Sequence, residues 1–149
     1  MREMEYVYVT LIAAPPEKVW QALTTPEFTS QYWHSTRVRC DWNVGSRVEF
    51  LVDGDEVGCE GEVLTHDPPT ELSYTWSFPR NPETRDEAPS RVTFLLVELP
   101  QGTRLTVIHD RFPTDSKMYP LIAQGWPCVM AGLKTLVETG EAVDFTQNP

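Results

Sequence analysis

Hydrophobic and polar residues alternate along most of the chain before residue 110, and this pattern predicts a series of β-strands. The segment YVYVTLI near residues 5–12 is β-branched and aromatic and predicts the first strand. The clearest alternation places large side chains at Leu72, Tyr74, Trp76 and Phe78 between small polar residues, as in a half-buried strand. Further strands are predicted at Arg47–Val52, Val57–Thr65, Val92–Leu96 and Leu105–His109.

The connections between these strands carry their own signals. Asp53-Gly54 predicts a tight turn, and Gly58 and Gly61 in the following strand suggest a bulge or bend. The polar, proline-rich segment Pro79–Ser90 is the one long loop. Since hairpin connections alternate between the two ends of a sheet, we expect this loop beside Asp53–Asp55, bordering the entrance of any cavity and more mobile than the sheet.

Helical signals lie at both ends of the chain. A short amphipathic helix is predicted over about 16–24, and a second begins at Thr25-Pro26 and ends near Tyr32-Trp33. A long C-terminal helix is predicted over about 116–139, ended by Gly140, with Pro127 causing a kink or a later start. Its apolar face consists of Ile122, Trp126, Val129, Leu133 and Leu136.

These elements predict an α+β fold. The sheet has one apolar face, and the long helix is the only element large enough to cover it. We therefore expect a curved antiparallel β-sheet wrapped around the C-terminal helix, with two short helices after the first strand.

Length and charge narrow the function classes. The 149 residues fit one domain spanning 1–149. The net charge of −10 opposes binding to nucleic acids and to anionic membrane surfaces. No apolar stretch is long enough to insert into a membrane, and the N-terminus lacks the apolar core of a signal peptide. A cytoplasmic location is expected.

Motifs for metal binding and catalysis are missing from the sequence. Cys40, Cys59 and Cys128 are widely spaced and odd in number, so free thiols are expected. Neither a nucleophile elbow nor a His-Glu-x-x-His motif nor a phosphate loop occurs. No metal, cofactor or catalytic residue is therefore assigned, although His109 as a general base stays an alternative.

The aromatic residues are the strongest functional signal. A strongly curved sheet and one helix cannot easily fill their interior, so large rings around that space predict an apolar pocket. His109 shares the inward face with Leu105 and Val107, and His34 follows the second short helix, so both are candidate polar anchors. The alternative for all of these aromatic and histidine side chains is that they belong to an ordinary packed core and bind no ligand. The predicted ligand-binding residues are Trp33, His34, Phe50, Tyr74, Trp76, Phe78, Phe94, Val107, His109, Trp126 and Met130.

Several segments resemble one known superfamily in their order along the chain. Residues 14–28, APPEKVWQALTTPEF, resemble the opening signature of the START-like superfamily, also called SRPBCC or birch-pollen-allergen-like. Residues 61–76 and 102–109 are similar to the central hairpin and last strand of its AHSA-type branch, named for the activator of a heat-shock chaperone's ATPase. Gly125-Trp126 with Leu133 and Leu136 resembles the C-terminal helix of that branch.

The resemblance implies a helix-grip fold with a cavity between sheet and helix. In that superfamily the cavity often holds lipids, polyketides or other apolar molecules, and some members are cyclases or hydrolases. We expect a carrier or sensor of a small apolar or aromatic molecule. A cyclase or hydrolase and a stress-related interaction module are the alternatives. The chaperone activator has an additional N-terminal domain, whereas this chain begins at the first strand, so a chaperone partner is not expected; a homodimer is left open.

Overall fold

One antiparallel sheet forms the body of the protein. A computed structural model describes residues 4–146. In this part of the chain, seven strands pair in the spatial order β1-β7-β6-β5-β4-β3-β2. The strands are β1 (Tyr6–Ile12), β2 (Arg37–Arg39), β3 (Arg47–Val52), β4 (Glu56–Asp67), β5 (Glu71–Trp76), β6 (Ser90–Leu99) and β7 (Gly102–Asp110), and the helices are α1 (Pro16–Thr24), α2 (Pro26–Tyr32) and α3 (Met118–Thr139).

The sheet curves where β4 departs from regular pairing. Phe50 pairs with Cys59 but Leu51 pairs with Val57, so Gly58 is an extra residue in β4. A second register shift lies further along β4, between Val63 and Thr65. Such bulges bend a strand and increase its twist. The bulge expected at the β4 glycines is therefore present, and it lets the sheet wrap around a helix.

The helix α3 covers the inner face of the sheet, as the alternation and the helical periodicity predicted. Its apolar face is buried throughout. Gly140 follows the last turn in the left-handed conformation with φ of 79°, where a glycine is favoured. The helix begins at Met118, two residues later than expected, and continues through Pro127 to Thr139. The helix-grip fold implied by the family resemblance is confirmed.

The two short helices pack against the end of the sheet where β4 turns into β5. The ring of Trp20 lies edge-on to His66, with centroids 5.5 Å apart. The Tyr32 hydroxyl donates to the carbonyl of Ala22 at 2.7 Å and so ties α2 to α1. None of the helices within residues 4–146 has the length and apolar character needed to cross a membrane.

Candidate functional site

A pocket of about 610 Å³ opens between α3 and the β3–β5 part of the sheet. This volume lies within the range typical of small-molecule sites. Aromatic and aliphatic side chains form most of its wall, and polar side chains occur at its mouth. The lining residues are Trp33, His34, Thr36, Phe50, Val52, Gly58, Cys59, Trp76, Phe78, Arg80, Asn81, Pro82, Glu83, Leu121, Ile122, Gly125, Trp126 and Val129.

Mutually packed rings form the inner wall of the pocket. Trp33 lies against Phe50 with centroids 4.6 Å apart and meets Trp126 edge to face at 5.5 Å. Trp76 stacks on Trp33 at 6.2 Å and contacts Trp126 at 5.3 Å. These separations match favourable aromatic pairs, so each ring restricts its neighbours. The wall is therefore a largely fixed apolar surface.

Two glycines line this wall. Gly58, the extra residue of the β4 bulge, lines the sheet side of the pocket, and Gly125 lines the helix side. A Cβ atom placed on Gly125 would meet nothing within 4 Å. The helix thus has an open position facing the pocket, and a larger side chain at Gly125 would enter empty space.

The mouth is bordered by the long loop after β5. Arg80 in this loop forms an ion pair with Glu56 at the start of β4. Glu87 accepts hydrogen bonds from the Ser116 hydroxyl and from the backbone N–H of Lys117, both at 2.7 Å. The loop, the β3–β4 turn and the lead-in to α3 therefore lie together, as the hairpin count predicted. The loop's mobility stays a prediction.

His109 lies behind the aromatic wall instead of in the pocket. It is fully buried and stacks on Phe112 at 4.9 Å. The indole N–H of Trp126 donates to Nδ1 of His109 at 3.0 Å. Because an indole nitrogen can only donate, Nδ1 is unprotonated, and the ring proton of the neutral imidazole lies on Nε2. Nε2 then donates to the Ser90 hydroxyl at 2.8 Å.

Burial keeps His109 uncharged. Desolvation lowers the pKa of its imidazole to about 3, although the carboxylate of Asp110 acts in the opposite direction. A general base needs an accessible lone pair, and both ring nitrogens of His109 are engaged. The geometry therefore makes His109 a positioning residue for Trp126.

Burial also disfavours the charged form of two groups that line the pocket, His34 and Cys59. Desolvation lowers the pKa of His34, and the Asp144 carboxylate partly opposes this shift. Burial raises the pKa of the Cys59 thiol well above its usual range, so the unreactive protonated form prevails. Among the described residues 4–146, histidine, cysteine and acidic side chains form no group suited to a metal ion.

The structure divides the predicted binding residues into two groups. Those that line the pocket are Trp33, His34, Phe50, Trp76, Phe78 and Trp126. The others lie in the packed interior outside the pocket lining: Tyr74, Phe94, Val107, His109 and Met130. The physical reason is that side chains from the second half of α3 fill the space above the sheet there. The pocket remains only near the end where α3 begins.

Sequence reasoning missed two glycines of the pocket lining, Gly58 and Gly125. It predicted that the loop 79–90 borders the entrance but named no lining residue in it, and residues Arg80–Glu83 line the pocket. The glycine inside the long helix, Gly125, was a usable signal, because glycine is unfavourable in a helix interior. The loop residues carried no periodic signal.

A family comparison agrees with this architecture. Residues 13–138 match the family described as Activator of Hsp90 ATPase homolog 1-like protein. The chain belongs to this family. The AHSA-type resemblance seen in the sequence is thereby confirmed. Among curated proteins, the comparison found no match.

Solved structures show the same fold. A protein from Mesorhizobium loti is 31% identical, with a TM-score of 0.79 over 93% of this chain and 99% of that one. The Aha1 dimer from Colwellia psychrerythraea is 20% identical, with a TM-score of 0.76 over 93% and 99%. An Hsp90 activator from Plasmodium falciparum is 18% identical, with a TM-score of 0.69 over 83% and 87%. The last two likenesses concern the fold alone.

Proposed function

We propose that this family member binds a small, largely aromatic molecule in the pocket beneath α3, as a carrier or sensor. The supporting observation is the aromatic wall around about 610 Å³ of open space. Because these rings already hold one another in place, binding a flat ligand against them costs little additional side-chain entropy. A lipid-like or polyketide-like molecule of suitable size would bind to the same apolar wall.

The chemistry of the pocket limits affinity and orientation. Burying roughly 250 Å² of apolar ligand surface stabilises the complex by at most about 6 kcal/mol. Lost translational freedom reduces this value, so binding is expected to be micromolar or weaker. Polar groups at the mouth, including Arg80 and His34, are placed to meet a polar end of the ligand.

A cyclase or hydrolase role has less support. The buried pair of His109 and Ser90 has the composition of a base and a nucleophile, but it lies behind Trp126. The proton on Nε2 of His109 points toward the Ser90 hydroxyl. A base that abstracts the hydroxyl proton needs a free lone pair at that position. The geometry suits a structural hydrogen-bond chain.

A chaperone-linked interaction module is the second candidate function. The match to a family described by an activator of the Hsp90 ATPase favours it. Stimulation of a purified Hsp90 ATPase by this chain would support that role. Stimulation that persists in a variant with a filled pocket would separate it from ligand binding.

The pocket proposal can be tested with Gly125→Leu and its matched control Gly125→Ala. Leucine at this position enters the open space, whereas alanine leaves most of it free. Both residues favour a helix more than glycine, so folding is preserved. Calorimetric titration with 2-naphthol is expected to show one saturable site, weakened at least about tenfold by leucine, a difference of about 1.4 kcal/mol.

The alanine control is expected to bind within about twofold of the unmodified chain, since RT ln 2 is only about 0.4 kcal/mol. Equal affinity of Gly125→Leu and Gly125→Ala would place the bound probe elsewhere. Absence of saturable binding to the unmodified chain, with 2-naphthol and larger fused aromatics alike, would contradict the proposal.

A further inference from the structure

Aromatic side chains make up much of the wall of the pocket beneath α3. They are Trp33, Phe50, Trp76, Phe78 and Trp126. A ring attracts a cation that lies within about 6 Å of its centroid, because the face of the ring is electron-rich, and tryptophan attracts most strongly. The pocket volume of about 610 Å³ corresponds to a sphere of about 5 Å radius, which is within that range. A positive charge in this pocket therefore interacts with several rings at once.

The charged groups at the opening leave an excess of negative charge. In the part of the chain that the structure describes, the charged side chains of the lining are Arg80 and Glu83, because burial disfavours the charged forms of His34 and Cys59. Arg80 already forms an ion pair with Glu56. The Glu83 carboxylate has no ion pair or hydrogen bond within the described chain. One guanidinium therefore stands against two carboxylates, which favours a cationic group over an anionic one.

The charge of the surrounding surface acts in the same direction. The net charge of −10 raises the local concentration of cations and repels anions. The arginines of the nearby strands β2 and β3 do not offset this field, since each forms an ion pair with a carboxylate. The pairs are Arg37 with Asp55, Arg39 with Glu49, and Arg47 with both Glu49 and Glu60. An anionic ligand therefore finds no uncompensated arginine on these strands.

We propose that the ligand of this pocket is an aromatic cation, with its ring against the tryptophans and its quaternary or delocalised ammonium group toward Glu83. This inference rests on the proposed function, because it names the chemistry of a ligand for the same pocket. A quaternary or delocalised cation is weakly hydrated, so it loses less hydration free energy in an apolar site than a primary ammonium does. Aromatic walls are a common means of binding such groups.

Calorimetric titration with three naphthalene probes of different charge tests the proposal. The cation is (2-naphthylmethyl)trimethylammonium, the neutral probe is N,N-dimethyl-2-naphthamide, which has the same number of non-hydrogen atoms, and the anion is 2-naphthylacetate. The cation is expected to bind about tenfold more tightly than the amide, the size of a cation–π attraction at a desolvated site. The anion is expected to bind most weakly. Gly125→Leu is expected to weaken binding of the cation and the amide, because both occupy the same pocket.

Glu83→Gln tests where the positive charge lies, and Asp86→Asn is its matched control. Both variants remove one negative charge from the same loop, but Asp86 is exposed outside the pocket lining. Glu83→Gln is expected to weaken the cation about threefold, as for an exposed charge pair, and to leave the amide unchanged. Asp86→Asn is expected to change neither probe. Equal effects of the two variants on the cation would overturn the placement of its charge at Glu83.

The two proposals about the pocket fail in different ways. Equal affinities of the cation and the amide, both weakened by Gly125→Leu, would overturn the cationic ligand and leave pocket binding intact. Tighter binding of 2-naphthylacetate than of the cation would do the same. If none of the three probes binds saturably, or if Gly125→Leu weakens none of them, both proposals are overturned.

Discussion

A short chain of buried hydrogen bonds fixes the position of Trp126 in the aromatic wall. Trp126 faces the pocket, and its indole N–H is satisfied by His109 on the side away from the opening. His109 in turn donates to Ser90, so three buried polar groups hydrogen-bond to one another. An unsatisfied buried polar group costs about 1–3 kcal/mol, so this chain fixes the orientation of the ring.

The suppressed charge of His109 predicts a pH dependence of stability. An imidazole in the unfolded chain titrates near 6.5, whereas His109 in the folded chain has a pKa of about 3. Between these values the unfolded chain binds a proton that the folded chain does not. The free energy of unfolding therefore falls as pH decreases, by about 1.5 kcal/mol from pH 6.5 to 5 for this group.

Urea unfolding of the unmodified chain and of His109→Gln at both pH values measures this effect. The glutamine variant lacks the titrating group, so its decrease is expected to be smaller by that amount. His34, whose pKa is also lowered, contributes equally to both proteins and cancels in the comparison. Identical decreases in the two proteins would show that His109 is not held neutral by burial.

The sequence located His109 on the inward face of β7 but gave no means of finding its partners. The alternation of His109 with Leu105 and Val107 was sufficient to predict that it is buried, and all three residues are fully buried. The contact with Trp126 depends on how α3 crosses the sheet, which no local pattern determines. His109, which the sequence suggested as a polar anchor in the pocket, therefore lies behind the aromatic wall.

At the scale of elements, the bent strand β4 is the critical part of the sheet. A Cβ atom on Gly61 would lie 1.7 Å from the carbonyl oxygen of Thr75. Nearby, the Thr75 hydroxyl accepts a hydrogen bond from the backbone N–H of Glu62 at 2.9 Å. The two strands approach so closely here that only glycine fits.

Gly61→Ala is therefore expected to destabilise the protein by about 2 kcal/mol or more, because backbone atoms must move. Gly125→Ala is the matched control, since its Cβ meets nothing and alanine favours a helix by up to about 1 kcal/mol. Urea unfolding of both variants gives the comparison. A loss below about 0.5 kcal/mol for Gly61→Ala, the level of ordinary surface substitutions, would contradict the close approach.

Elements with a strong local signal were predictable almost to the residue. The helix α1 and the strand β3 have the predicted bounds, and the β4 bulge lies at a predicted glycine. The start of α3 was less certain because Ser116, through its hydroxyl, accepts from the backbone N–H groups of Met118 and Tyr119 and is itself tied to Glu87. Such a cap, completed by a distant loop, leaves no pattern in the local sequence.

At the scale of the whole molecule, the pocket results from one helix covering a sheet too curved for it to fill. The sequence predicted this empty space and the end at which it opens. It could not predict how far the space extends, because that depends on summed side-chain volumes. Tyr74, Phe94 and Met130 fill the inner region, whereas Gly125 leaves space on the helix side of the outer region.

The most direct test of ligand binding in the pocket uses the indole N–H signals of the five tryptophans during a titration with 2-naphthol. Trp33, Trp76 and Trp126 line the pocket, whereas Trp20 and Trp42 pack around His66 outside it. Heteronuclear NMR is expected to show saturable shifts at the three pocket indoles and little change at the other two. Equal shifts at all five, or shifts confined to Trp20 and Trp42, would contradict binding in this pocket.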